Sequence, residues 1–224
     1  MIAFSCSIVE EGYSSALIFE DDADWDIRIK SQLADFALGT RYFLGNASDA
    51  ATSSPYGDGW DLLWVGLCHD FRPKDDDRVY VINNDLSVPK IDKLRINNPE
   101  MMKEFPDHTR IIHVAGAPIC TYAYALSLAG ARKVLWALSV KELQGIFDNA
   151  LAWWCRDKGG MCVSANPPYF QAHQFAGGAG KGSDINPGVP ELKEGKTINI
   201  RWSTKLNIEK LLRGETDYHD QFPD

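Results

Sequence analysis

The residues best suited to chemistry lie at positions 16–26, ALIFEDDADWD. An apolar run leads straight into five carboxylates within seven positions: Glu20, Asp21, Asp22, Asp24 and Asp26. Grouping like charges is costly unless a cation or solvent compensates. Hard divalent cations such as Mg²⁺ and Mn²⁺ favour such oxygen ligands and commonly share them with substrate phosphates. A metal–diphosphate site is one physical reading of the cluster. Its place behind an apolar strand supports that reading, because ligands of α/β sheets bind at strand carboxyl ends. The competing reading is an acidic helix start, favoured by the helix dipole. That accounts well for Asp24 and Asp26, and poorly for Glu20-Asp21-Asp22. A calcium loop starting at Asp22 would need Gly and Glu where Ile27 and Leu33 stand, which excludes it.

Elements that would position these groups follow from the hydrophobic pattern. Buried strands are expected at 15–19 (SALIF), 61–67 (DLLWVGL), 78–82 (RVYVI), 110–114 (RIIHV), 121–127 (TYAYALS) and 161–165 (MCVSA). Helical patterns occupy 26–38, 128–138 (capped by Ser127), 148–156 and 204–212 (capped by Ser203). Strands alternating with helices predict an α/β fold with a mostly parallel central sheet flanked by helices. The chain of 224 residues is read as a single domain over 1–224. The segment 175–196 holds six glycines and two prolines and is expected to be a mobile loop, either a lid or a surface excursion.

Net charge is −8, which repels phosphate backbones and argues against a nucleic-acid partner. Hydrophobic residues make up 45% and charged residues 24%, a composition that excludes wholesale disorder, collagen and coiled coil. No apolar run is long enough to span a bilayer, and the first residues lack the basic start of a signal peptide. The five cysteines cannot all pair with one another. They are too scattered for a disulfide scaffold or a zinc ribbon. Cys155 and Cys162 are near enough in sequence for one local bridge, and two buried thiols are the alternative.

The stretch ALIFEDDADWDIRIK resembles the acidic signature of glycosyltransferase family 25. Further stretches resemble the fungal branch of that family in the same order: HVAGAPICTYAYALSLAGARKVL (113–135), FDNAL (147–151), CVSANPPYFQAHQ (162–174), SDI (183–185) and NIRWSTKLN (199–207). The resemblance implies a GT-A-type nucleotide-diphospho-sugar transferase fold. It implies inverting transfer of a hexose, galactose above all, from a UDP-sugar to a glycan or glycoprotein hydroxyl, with Mn²⁺ or Mg²⁺ as cofactor. Asp22 and Asp24 would hold the metal beside Glu20 and Asp21, and His173 would complete its shell. An inverting transfer needs a base opposite the leaving group. Asp148 matches the family's Asp at a helix start, where the ordinary role of Asp is an N-cap.

Other positions carry two readings each. Gly116-Ala117-Pro118 with Thr121 could form a sugar pocket or a tight packed turn. His113 inside an apolar strand is read as a satisfied core histidine. Trp60, Trp64, Trp153 and Trp154 are read as core. Asp75-Asp76-Asp77 is read as a solvated loop. Relatives of this kind carry a further segment before the acidic strand, so the first β-α unit is expected to be missing, exposing a sheet edge. The resemblance places the protein in the secretory pathway. The alternative function is a non-catalytic relative that binds a glycan or a protein. A phosphohydrolase is disfavoured, because the nucleophile arrangement of haloacid-dehalogenase-type enzymes is absent from EDDAD.

Overall fold

The computed structural model describes residues 2–45, 52–96, 99–141, 145–177 and 192–224. Helix α1 (Ile2–Glu11) leads into β1 (Ser15–Phe19) and β2 (Ala23–Trp25), followed by α2 (Ile29–Phe43). Strands β3 (Leu62–Gly66), β4 (Tyr80–Ile82), β5 (Arg110–Val114) and β6 (Ala123–Ser127) come next. Helix α3 (Leu128–Leu135) continues into a π-helical turn at Trp136–Lys141. Then come α4 (Phe147–Arg156), β7 (Cys162–Asn166), β8 (Phe170–Gln174), β9 (Lys196–Thr197) and α5 (Thr204–Arg213).

The strands form one mixed sheet in the order β1-β6-β3-β7-β5-β4, with β8 joining β3 to β2 and β9. Six of the eight pairings are antiparallel, and only β3–β7 and β3–β8 are parallel. The α/β class stands, but the expected mostly parallel sheet is corrected to a mixed, largely antiparallel one. Parallel neighbours need a crossover of a dozen or more residues, usually helical. Here β4 reaches β5 without an α-helix and pairs with it antiparallel. Strand β6 inserts between β1 and β3, which both run against it. Strands β1, β3 and β7 therefore point the same way. Their carboxyl ends and the amino end of β6 share one edge.

Period-two alternation divides the core between two faces. Leu62 and Trp64 point into one cluster with Leu126, Leu151 and Trp154, covered by α1, α3 and α4. Leu63 and Val65 point into the other with Phe36, Ile112 and Val163, covered by α2. Every residue of β3 is buried, which explains its unbroken apolar run. Ser127 and Ser203 cap α3 and α5 by accepting from Gly130 N (3.0 Å) and Leu206 N (3.1 Å). Strand β1 ends the sheet with Leu17 45% and Phe19 51% exposed, and no strand pairs with its second edge among the described residues. Trp60, Trp64 and Trp154 are buried as expected, whereas Trp153 is 39% exposed on the outer face of α4.

The fold also settles the cysteine pairing. Cys155 and Cys162 are bridged, tying the end of α4 to the start of β7. A second bridge, Cys68–Cys120, spans 52 positions and has no signature in the spacing. Cys6 is free. Of the glycine-rich segment, 178–191 lies outside the described residues, as does the 183–185 stretch.

Candidate functional site

The carboxyl end of β1 delivers Glu20 beside the amino end of β6. The Glu20 amide donates to the Tyr122 carbonyl (3.0 Å), and Thr121 Oγ1 donates to Glu20 Oε1 (2.8 Å). One residue earlier, the Cys120 amide donates to Asp148 Oδ2 (3.2 Å). Asp148 Oδ1 accepts from the Asn149 amide (2.8 Å). Asp148 is therefore in the first turn of α4 rather than at its cap, which is Ile146. The Cys68–Cys120 bridge and a bond from Trp64 Nε1 to the Cys120 carbonyl (2.9 Å) fix the segment between the two carboxylates. Burial pushes the Glu20 carboxyl above its ordinary range; the Thr121 bond opposes this, and the charges of Asp22, Asp148 and Asp21 add to it.

Beyond Glu20 the chain turns into β2, which pairs with β8. The two metal candidates then separate. Asp24 is fully buried and saturated. Its Oδ1 accepts from the amides of Trp25 (2.9 Å) and Lys205 (3.0 Å). Its Oδ2 accepts from Thr197 Oγ1 (2.5 Å) and Ser203 Oγ. Four donors fill the four acceptor positions of a carboxylate, so Asp24 cannot also ligate a metal as placed. Asp22 is the reverse case: its Oδ1 is buried with no hydrogen-bond partner among the described residues. Burial raises its carboxyl above the ordinary range, with Asp21 adding to the rise and Lys205 opposing it.

His173 stands between them. Its amide donates to the Asp22 carbonyl (2.9 Å). Thr197 spends its one hydroxyl proton on Asp24, so the 2.8 Å contact between His173 Nδ1 and Thr197 Oγ1 must be donated by Nδ1–H. The network thus assigns the tautomer whose Nε2 carries the lone pair. Burial holds this imidazole below its ordinary pKa, so it is neutral near pH 7. A histidine whose other nitrogen is held by a hydroxyl–carboxylate chain is the usual support for a metal-facing ring. Lys205 Nζ donates to the Asp21 carbonyl (3.2 Å) and lies 5.2 Å from the Phe175 ring. Asp21 itself is exposed.

No cage of three or more His, Cys, Asp or Glu side chains exists among the described residues. A Mg²⁺-type site does not require one: such ions take one or two protein ligands and complete the shell with water and substrate phosphates. In ligand type the unpartnered Asp22 carboxylate oxygen and the neutral His173 imidazole suit that demand, and the saturated Asp24 does not.

The expected sugar pocket divides as well. Gly116 and Ala117 donate their amides to buried Asp70 Oδ1 (3.2 and 3.1 Å). A Cβ on Gly116 would meet the Phe71 carbonyl oxygen at 2.0 Å. Gly116-Ala117-Pro118 is thus a packed turn organised by Asp70, while Thr121 alone belongs to the acidic edge. His113 is buried between the Val114 carbonyl (2.8 Å) and the Asn166 amide (3.0 Å), a satisfied core histidine. Asp75 and Asp76 pair with Lys158 and Arg78 on the surface. Thr197 and Lys205 escape sequence reasoning. A threonine in a two-residue strand and a lysine in a helical first turn carry no local signal of their partners. A scan against models of known protein families finds no match to the chain, and a search of curated proteins finds none either.

Proposed function

We propose that the chain is a metal-dependent inverting hexosyltransferase of the family 25 type, with a UDP-hexose donor, galactose first, and a glycan or glycoprotein hydroxyl as acceptor. The observation that carries the reading is Asp22 Oδ1, buried without a hydrogen-bond partner among the described residues, beside His173, whose amide bonds the Asp22 carbonyl, on the same sheet edge as Glu20 and Asp148. Asp22 and His173 would hold the Mn²⁺ or Mg²⁺, which when bound neutralises charge on the leaving diphosphate. Asp24 acts at one remove, holding Thr197 and through it the imidazole. Lys205, anchored on the Asp21 carbonyl, brings a fixed positive charge to the place where diphosphate charge develops. Asp148 is the base. Each of its oxygens accepts one backbone amide and retains a lone pair for the acceptor hydroxyl proton. Glu20 stays beside it, bonded to Thr121, as the neutralisable member of the pair. Two disulfides suit an oxidising compartment and agree with a secretory-pathway location.

The test is UDP release from a panel of UDP-hexoses with Mn²⁺ and mixed saccharide acceptors. Turnover with one donor, lost in Asp22→Asn and in Asp148→Asn, is expected. Equal turnover in wild type and both variants refutes the assignment. A second reading, a non-catalytic relative that binds a protein or glycan, draws on the exposed Leu17 and Phe19 of the unpaired β1 edge. Turnover from any UDP-hexose ends it.

A further inference from the structure

Beside Trp202 lies a groove of about 530 Å³. It is lined by Ile27, Arg28, Trp202, Thr216, Asp217 and Tyr218. Trp202 is held in place on every side. Its amide donates to Asp26 Oδ2 (3.2 Å), its carbonyl accepts from the Ile27 amide (3.0 Å), and Arg28 and Arg201 stack on its ring at 4.1 and 4.6 Å. Arg28 is aligned by its own bonds to Asp26 Oδ1, through its amide (2.9 Å) and Nε (3.3 Å). Its Nη2 remains buried with no partner among the described residues. The opposite wall brings the Tyr218 ring, the Thr216 hydroxyl and the Asp217 carboxylate, the last held by Lys210 Nζ at 2.8 Å.

The groove combines the Tyr218 ring, the Thr216 hydroxyl and the Lys210-held Asp217 carboxylate with a wall of Trp202, whose indole Arg28 and Arg201 cover. A polyhydroxylated ring matches that set: its C–H faces suit aromatic rings, and each hydroxyl both donates and accepts. An anionic ligand matches it less well, because Asp217 and Asp26 stand in the lining or directly behind it. The volume lies within the 300–1,000 Å³ typical of small-molecule sites. We infer that this groove binds a neutral saccharide unit.

The position gives the site a use. Arg28 follows Asp22 by six positions, so their Cα atoms are at most about 22 Å apart. The segment that presents Trp202 to the groove also presents Lys205 to the acidic edge. The bound saccharide is then the acceptor, held away from the reacting hydroxyl. That identification of it as acceptor rests on the transferase reading, and the binding itself does not.

The experiment is saturation-transfer NMR on the full chain with galactose, mannose, glucose and disaccharides of each. Calorimetry of UDP with Mn²⁺ on the same samples reports the acidic edge separately. Expected is saturation transfer from at least one saccharide, weakened at least about tenfold in Trp202→Ala and in Tyr218→Ala, with UDP–Mn²⁺ binding unchanged in both. Tyr218 lies in the irregular C-terminal segment, so its variant remains informative should Trp202→Ala fold poorly. Saccharide binding without UDP binding keeps the groove and removes the transferase reading. Absence of saturation transfer from every sugar, or undiminished transfer in both variants, overturns the groove.

Discussion

Asp22 and Asp24 sit two positions apart, yet their replacement by alanine is expected to do opposite things. Asp24→Ala removes the acceptor that the Trp25 and Lys205 amides and the Thr197 and Ser203 hydroxyls share. The hydroxyls can rotate to other partners, whereas the amides cannot. Stranding a buried donor costs about 1–3 kcal/mol, so two amides give about 2–6 kcal/mol. In a chain of this length each kcal/mol lowers Tm by about 2–4 °C, so a fall on the order of 10 °C follows. Asp22→Ala removes a carboxylate with an unpartnered oxygen and an upward-shifted pKa, and its stability effect should stay within about 0.5 kcal/mol of zero. Thermal melts by circular dichroism and urea titration on both variants read the difference. Equal stability losses, or a larger loss at Asp22, would refute this division of labour between the two carboxylates.

Further outcomes follow from the same geometry. Glu20 and Asp22 both have raised pKa values in the folded chain, so above the ordinary carboxylate range the native state holds more protons than the unfolded one. Their contribution to stability is full below that range and falls as pH rises through it and above it. The double variant Glu20→Gln, Asp22→Asn should flatten melts recorded across that window. An unchanged slope contradicts the shifts. Asp85 behaves oppositely. Burial raises its carboxyl, but Arg110 at 2.8 Å and the Ser87 bonds outweigh burial and hold it low, so its stabilisation is lost as pH falls through the acid range. Melts of Asp85→Asn should show less acid sensitivity than wild type. Replacing both cysteines of the Cys68–Cys120 bridge with serine should cost about 4 kcal/mol by loop entropy, against about 2.5 kcal/mol for Cys155–Cys162. Urea titrations showing the reverse order would reject that ranking. Gly116→Ala forces a Cβ onto the Phe71 carbonyl and should destabilise by about 1–3 kcal/mol in the same assay; a neutral result removes the packed turn.

Much of the scaffold was legible because its signals are local. The strands 15–19, 110–114 and 161–165 and the Ser127 and Ser203 caps follow from apolar runs and hydroxyl positions. Strand direction was not legible. Nothing in TYAYALS states that it inserts between two strands running the other way, and that choice is made by loops lacking crossover helices. Likewise the clustering of carboxylates was plain, while their division into one saturated and one open residue was not. Asp24 is sated by Thr197, Ser203 and Lys205, more than 170 positions away, and no spacing rule reaches that far. The Cys68–Cys120 pair has the same character, whereas Cys155–Cys162 was short-range and visible. Trp153 was misplaced because adjacent tryptophans on a helix cannot share one face: Trp154 turns inward and Trp153 outward.

The transferase proposal stands on the unpartnered Asp22 carboxylate oxygen beside His173, which together would complete a metal's shell with a nucleotide diphosphate. Isothermal titration of UDP in the presence and absence of Mn²⁺, on wild type and Asp22→Ala, tests it most directly. The predicted result is UDP binding that requires Mn²⁺, vanishes in Asp22→Ala, and weakens as pH falls and Asp22 takes up its proton. Metal-independent binding of UDP, equal binding by the variant, or no binding by a cooperatively melting wild type would contradict it.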